Sequence, residues 1–191
     1  MLQLKHAHSS LAAVPICAGE AAAEEDAAAA AAGRRVAVLR AKLLNFVSAL
    51  RSHVMHRSLD GCWHMLQSAM AAATSLEEMC AAHRAYLHAL SRQCMIAPDK
   101  FWSLVSERVQ SALSAVLAFT AAAGTLSDGY CSAAEVRRAM AAVEKAERAF
   151  DESVRFLIQV LNAKLKVGTF PALAELRGSL DFNGFHGSRI G

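Results

Sequence analysis

From Val136 onward, apolar residues return at helical spacing: Val136, Met140, Val143, Phe150, Val154, Leu157, Leu161 and Leu165. A half-buried strand alternates with a period of two, whereas this spacing places one stripe on a helix of 3.6 residues per turn. The pattern runs to Gly168, which predicts an uninterrupted helix of about thirty-five residues, or roughly 50 Å. A helix of that length with a single apolar stripe needs other helices laid along it. This one segment restricts the chain to architectures built from long packed helices.

The preceding segments repeat the pattern. Leu39, Leu43, Phe46, Val47, Leu50 and Val54 form a stripe that starts near Arg34 and reaches about Ser58, where Asp60-Gly61 reads as punctuation. Trp63, Leu66 and Met70 begin a second stripe. Ser75 and Glu78 make a capping box, in which the hydroxyl accepts from a first-turn N–H and the carboxylate reaches back. The helix behind that box carries Leu76, Cys80, His83, Leu87, Leu90 and Cys94 on one face, and this face is expected to be buried. Ala97-Pro98-Asp99 ends it and opens a fourth helix that buries Trp102, Val105, Val109, Leu113, Val116, Leu117 and Phe119. Gly124 to Gly129 reads as a loop, and Ser132 with Glu135 as a second capping box before the long helix. Thr169-Phe170-Pro171 opens a short last helix ending near Gly178. Three prolines in 191 residues and the absence of β-branched runs agree with an all-α fold. The expected architecture is a bundle of long antiparallel helices with a short non-helical C-terminal tail docked on it.

Residues 1–33 read differently. Ala21 to Ala32, interrupted by Glu24-Glu25-Asp26, has no apolar periodicity beyond alanine, and Gly33 closes the tract. A short helix without a face to bury is marginal in water. The expected domain plan is a flexible or partly helical lead-in over 1–33, a helical domain over 34–186 and a flexible tail over 187–191. Leu11 to Gly19 has the outline of a secretory signal, but its apolar core is weak and contains Pro15.

Composition excludes several function classes. The chain is 54% hydrophobic and 19% charged, which is globular rather than disordered. A net charge of +3, with Lys and Arg never in runs longer than two, lacks the clustering of a nucleic-acid surface. No run of about eighteen uninterrupted apolar residues suggests a membrane span. Cys17, Cys62, Cys80, Cys94 and Cys131 are odd in number and contain no CxxC, so neither a disulfide framework nor a zinc site is indicated and a reducing compartment is expected.

The candidate chemical constellations are weak. His53, His56 and His64 lack a carboxylate or thiol at ligand spacing and can equally be solvated. Cys80 and His83 share a helix face as a nucleophile and base would, without an orienting third group nearby. Glu144, Lys145, Glu147 and Arg148 read as a solvated face with an i,i+4 pair between Glu144 and Arg148. Met55, Met65, Met70 and Met79 read as core filling before they read as an adaptable binding surface. No phosphate loop, GxSxG or HExxH occurs, so no enzyme and no cofactor are expected.

Three blocks carry a family resemblance. The first is Leu43-Leu44-Asn45-Phe46-Val47 followed by Trp63. The second is the Ser75-Leu76-Glu77-Glu78 cap leading to Ala82-His83-Arg84-Ala85-Tyr86-Leu87 and Cys94-Met95-Ile96. The third is Leu180-Asp181-Phe182-Asn183-Gly184-Phe185. In this order and spacing they resemble the C-terminal domain of gamma-tubulin complex components, over about residues 38 to 186. The Asn-Gly-Phe form of the ending is most similar to component two, with component three next. The chain departs from the pattern at Ser52-His53, where the family often has paired aromatics, at Ser179 in place of an Arg and at His186 in place of a Tyr.

The resemblance implies a non-enzymatic helical scaffold that binds gamma-tubulin and other gamma-tubulin complex components and contributes to microtubule nucleation. It implies a location in the cytoplasm and cytoskeleton, at microtubule-organising centres or spindle poles. Family members are much longer, and their N-terminal lateral-assembly domain and the beginning of their gamma-tubulin-binding domain find no counterpart here. In this reading Leu43, Asn45, Phe46, Trp63, His83, Leu87, Leu180, Asp181, Phe182, Asn183 and Phe185 are structural motif positions. Leu180, Phe182 and Phe185 would dock the tail on the long helices. Arg84, Lys100 and Arg108 are candidate partner contacts that can equally be solvated surface. The alternatives are a truncated family fragment without independent activity, and a metal or redox helical protein using His53, His56 and the thiols.

Overall fold

A computed structural model describes residues 2–14, 24–95, 99–127, 133–168 and 171–181. All regular structure among them is helical: α1 (Leu2–Ala13), α2 (Glu24–Ser52), a π-helical segment (His53–Asp60), α3 (Gly61–Ala72), α4 (Leu76–Gln93), α5 (Lys100–Ser127), α6 (Ala133–Val167) and α7 (Pro171–Leu180). The long helix predicted from the Val136–Leu165 stripe is α6, at 35 residues. The chain divides into two compact units, one of 1–48 with 110–155 and one of 49–109 with 156–191.

In the first unit the core is built on Leu39, Leu43, Phe46 and Val47 of α2, Ala112, Leu113, Val116 and Phe119 of α5, and Val143, Phe150 and Val154 of α6, all buried. Phe46 meets Phe150 edge to face at 5.1 Å between ring centroids, a geometry that suits the aromatic quadrupoles. Lys42 pairs with Asp151 at 2.5 Å, and Arg35 reaches Glu144 at 2.7 Å and Glu147 at 3.3 Å. Partner numbers rise together along α2 and α6, so these two helices run parallel. The two Glu residues of the charged patch on α6 therefore engage α2 through Arg35, rather than standing as a purely solvated face. Tertiary placement brings Arg35 within reach, which spacing along α6 could not reveal.

The lead-in, expected to be flexible or partly helical with no face to bury, is helical over Leu2–Ala13 and has a buried side there. Leu4, Ala7, Leu11 and Val14 are buried on one side of α1 and its end. Arg40 fastens that end, its Nε donating to the Leu11 carbonyl at 2.8 Å and its Nη2 to the Ala12 carbonyl at 3.1 Å. The last carbonyls of a helix lack their usual partners four residues on, and Leu11 has only a long bond from the Val14 N–H at 3.4 Å, so the guanidinium acts as a cap. The signal was legible as steps of three, four and three from Leu4 to Val14. Gly33 does not end the alanine tract either, because α2 passes through it.

In the second unit α3 packs on α4, and α3, α4 and α7 each contact the π-helical segment. Asp60-Gly61 is not a break: Asp60 has helical dihedrals and α3 follows directly. The wider π turns stand where sequence punctuation was expected, and such segments are uncommon in helices. His53 is buried there, together with Val54, rather than solvated. Trp102, Val105 and Val109 of α5 are buried with Leu157, Ile158 and Leu161 of α6. Arg108 lies over Phe156 at 4.5 Å and Lys164 over Phe101 at 5.3 Å. Partner numbers move in opposite senses, so α5 and α6 are antiparallel in this unit.

Two further boundaries differ from expectation. α5 continues through Gly124 to Ser127, where a loop was predicted from Gly124. α7 passes Gly178 and includes Leu180. A Cβ at Gly61, Gly124 or Gly178 would meet nothing within 4 Å, so these glycines are surface helix positions and not turns. Gly costs a helix only about 1 kcal/mol relative to Ala, which packing of the same helix readily offsets. α5 is also long and apolar enough to cross a membrane by length and composition. Its stripe is instead used for the core, with Val105, Val116 and Phe119 fully buried.

Candidate partner surface on the α3–α4 hairpin

α4 begins at a well-formed cap. Ser75 is extended, and its hydroxyl accepts from the Glu78 N–H at 3.3 Å. The Glu78 carboxylate accepts from the Thr74 N–H at 2.6 Å and the Thr74 hydroxyl at 2.9 Å. The predicted capping box is present, with the reach of Glu78 extended one residue further back. The Thr74 N–H, and then its hydroxyl, hold the Glu78 carboxyl below its ordinary range.

Two residues past the end of α4, Met95 adopts a left-handed φ of 61° while its side chain is buried. A non-glycine residue there is uncommon and stores strain. The Cys94 N–H donates to Leu90 at 2.9 Å and the Met95 N–H to Arg92 at 3.1 Å, closing the last turn. Beside this end the Cys62 thiol of α3 donates to Gln93 Oε1 at 3.4 Å. Burial pushes the Cys62 thiol up, and burial followed by the nearby Cys62 does the same to Cys94. Cys80, by contrast, is exposed.

The face of α4 predicted to be buried is open over most of its length. No residue of α4 is buried. Leu76 is 77% exposed and Leu87 49%, and between them Cys80 and His83 are exposed. Leu90 and Cys94, nearer the π-helical segment, are half-buried. α3 extends the patch: Trp63 is 50% exposed and stacks edge-on beside Tyr86, with ring centroids 6.5 Å apart. Met65, at 63% exposure, and Met79, at 39%, are outside the core, while Met55 and Met70 are half-buried. The reading of the methionines as core filling therefore fails for Met65 and Met79. Periodicity identifies an apolar face but carries no information on whether a neighbour covers it.

The motif positions thus fall into two sets. Leu43 and Phe46 are core residues of the first unit, with Asn45 exposed on the same helix. Trp63, His83 and Leu87 are surface residues of the second unit, and Leu180 and Asp181 are buried at the end of α7. Phe182, Asn183 and Phe185, on which the docking of the tail depends, lie outside the described residues. Arg84 and Lys100 are exposed, whereas Arg108 is half-buried over Phe156. No group of three or more His, Cys, Asp or Glu side chains among the described residues could hold a metal ion. Cys80 and His83 share the open face, with no acid beside them to complete a catalytic set among the hydrogen bonds described.

Residues 1–186 match the family model of the gamma tubulin complex component C-terminal domain. Two similar proteins are both named gamma-tubulin complex component 5. The Macaca fascicularis protein is 30% identical over 146 residues, covering 76% of this chain and 19% of its own length. The Mus musculus protein is 28% identical over 146 residues, covering 76% of this chain and 13% of its own length. The chain therefore spans less than a fifth of the length of these relatives.

Proposed function

We propose, from the premise that this chain belongs to the family of gamma-tubulin complex component C-terminal domains, that it acts as a gamma-tubulin-binding scaffold segment. The match of that family's model to residues 1–186 carries the reading. In this role the chain assembles with gamma-tubulin and other gamma-tubulin complex components. It contributes to microtubule nucleation in the cytoplasm, at microtubule-organising centres or spindle poles, without catalysis of its own. A rigid core in each unit suits a scaffold, because binding surfaces hold their geometry when packed helices support them.

The closing motif points to component two or three, while both relatives described are component 5. The proposal is accordingly made for the family and not for one component. Arg84 and Lys100 are the solvent-facing cations proposed for the gamma-tubulin contact. Arg108 drops out of that set, because its guanidinium is laid on Phe156.

Affinity capture of purified gamma-tubulin by the full chain, with helicity verified by circular dichroism, tests the proposal. Saturable binding above that of an unrelated helical protein is the expected result. A folded chain that captures no more than the control would overturn it.

A further inference from the structure

The open face of α4 has the spacing of a helix–helix seam. Leu76, Cys80, His83 and Leu87 are separated by four, three and four residues, which is the alternation of the a and d positions of a heptad. All four are exposed, and the following positions in the same register, Leu90 and Cys94, are half-buried. The flanks of the seam are unlike. On one side stand Glu77 and Arg84, both exposed, with neither in an ion pair among the described residues. On the other stand Met79 and Tyr86, with Trp63 of α3 against the Tyr86 ring.

We propose that this face is a self-association surface: the α4 helices of two copies pair antiparallel across a two-fold axis near residues 81–82. Reversing one helix against the other places each a position opposite a d position. Leu76 then faces Leu87 of the second copy, and Cys80 faces His83, each contact occurring twice by symmetry. The same reversal puts Glu77 beside Arg84 of the second copy on one flank, and Met79 beside Tyr86 on the other. A parallel pairing in register would instead set Arg84 against Met79 and Glu77 against Ala72 of the second copy, leaving both charges without an opposite partner. The charge pattern therefore selects the antiparallel arrangement and a second copy of this chain as the occupant.

The seam from Leu76 to Leu87 is about 18 Å long, so the interface is at the small end of specific ones and the dimer is reversible. The inference does not depend on gamma-tubulin binding. It does mean that a partner contacting Arg84 competes with self-association.

Sedimentation velocity of the full chain over a concentration series is the direct test. A monomer–dimer equilibrium is expected, weakened about tenfold or more by Leu76→Glu or by Leu87→Glu. Glu77→Arg alone and Arg84→Glu alone also weaken it, and the two together restore it, because the paired charges are exchanged. All of these positions are exposed, so circular dichroism is expected to be unchanged. In a Cys80→Ser background, Leu76→Cys with Leu87→Cys is expected to form an intermolecular disulfide between positions 76 and 87. A chain that is monomeric up to about 100 μM overturns the proposal, since a dimer weaker than that is not a specific one. A dimer indifferent to the Leu substitutions, or an unrescued charge exchange, overturns it as well. If the chain is monomeric and Leu76→Glu abolishes gamma-tubulin capture, the face belongs to that partner instead.

Discussion

Glu78 shows how a single side chain sets where α4 starts. Its carboxylate takes the Thr74 N–H and hydroxyl, while Ser75 takes the Glu78 N–H. Because these donors favour the charged form, the folded-state value of Glu78 is lowered from 4.5. The cap's contribution is therefore fully present above that value and is lost as pH falls through the lower, folded one. Glu78→Gln is expected to melt at a lower temperature than the parent chain at pH 7. The difference should shrink as pH is taken below about 4.5 and close at still lower pH. A difference constant down to pH 2 would show that the charge on Glu78 is immaterial. This cap was legible in the sequence because its partners are three and four residues apart. Arg35 and Arg40 were not, since their partners lie 109 and 29 positions away.

At the scale of the element, α4 and α6 carry similar apolar stripes and have opposite fates. On α6, Phe150, Val154, Leu157 and Leu161 are fully buried, and Phe150 meets Phe46. Phe150→Ala is expected to cost about 3–5 kcal/mol in chemical denaturation, from lost transfer energy and the cavity left behind. Leu87→Ala, on the open face of α4, is expected to change the stability of the dilute protein by no more than about 0.5 kcal/mol. A comparable loss at both positions would mean that the α4 face is covered. The existence and period of nearly every helix from Leu39 to Leu165 could be read from spacing. Their ends were harder to read. Glycine at 33, 61, 124 and 178 resembles punctuation in sequence, yet α2, α3, α5 and α7 contain those positions. A residue that merely weakens a helix does not stop one whose face is packed. α1 was missed for the converse reason: Leu4, Ala7 and Leu11 form a stripe too short to stand out beside an alanine tract.

For the whole molecule, burial predicts a graded order of local opening. Hydrogen exchange is expected to be slowest over 143–161 of α6, where six apolar side chains from Val143 to Leu161 have no exposure. Among the long helices it should be fastest over 76–87 of α4, which has no buried residue. Added protection of 76–87 at high protein concentration, with none over 143–161, would mark self-association through that face. Equal protection of both segments in dilute solution would contradict the burial difference. The sequence by itself determined the helical class, the faces of the helices and the family, because each rests on residues a few positions apart or on short motifs in order. Only the tertiary structure decided which faces are covered. It paired Arg35 with α6, laid Arg108 on Phe156, buried one side of α1 and left Trp63, Leu76 and Leu87 in solvent. Burial depends on what other parts of the chain bring alongside, and a local pattern carries no record of that.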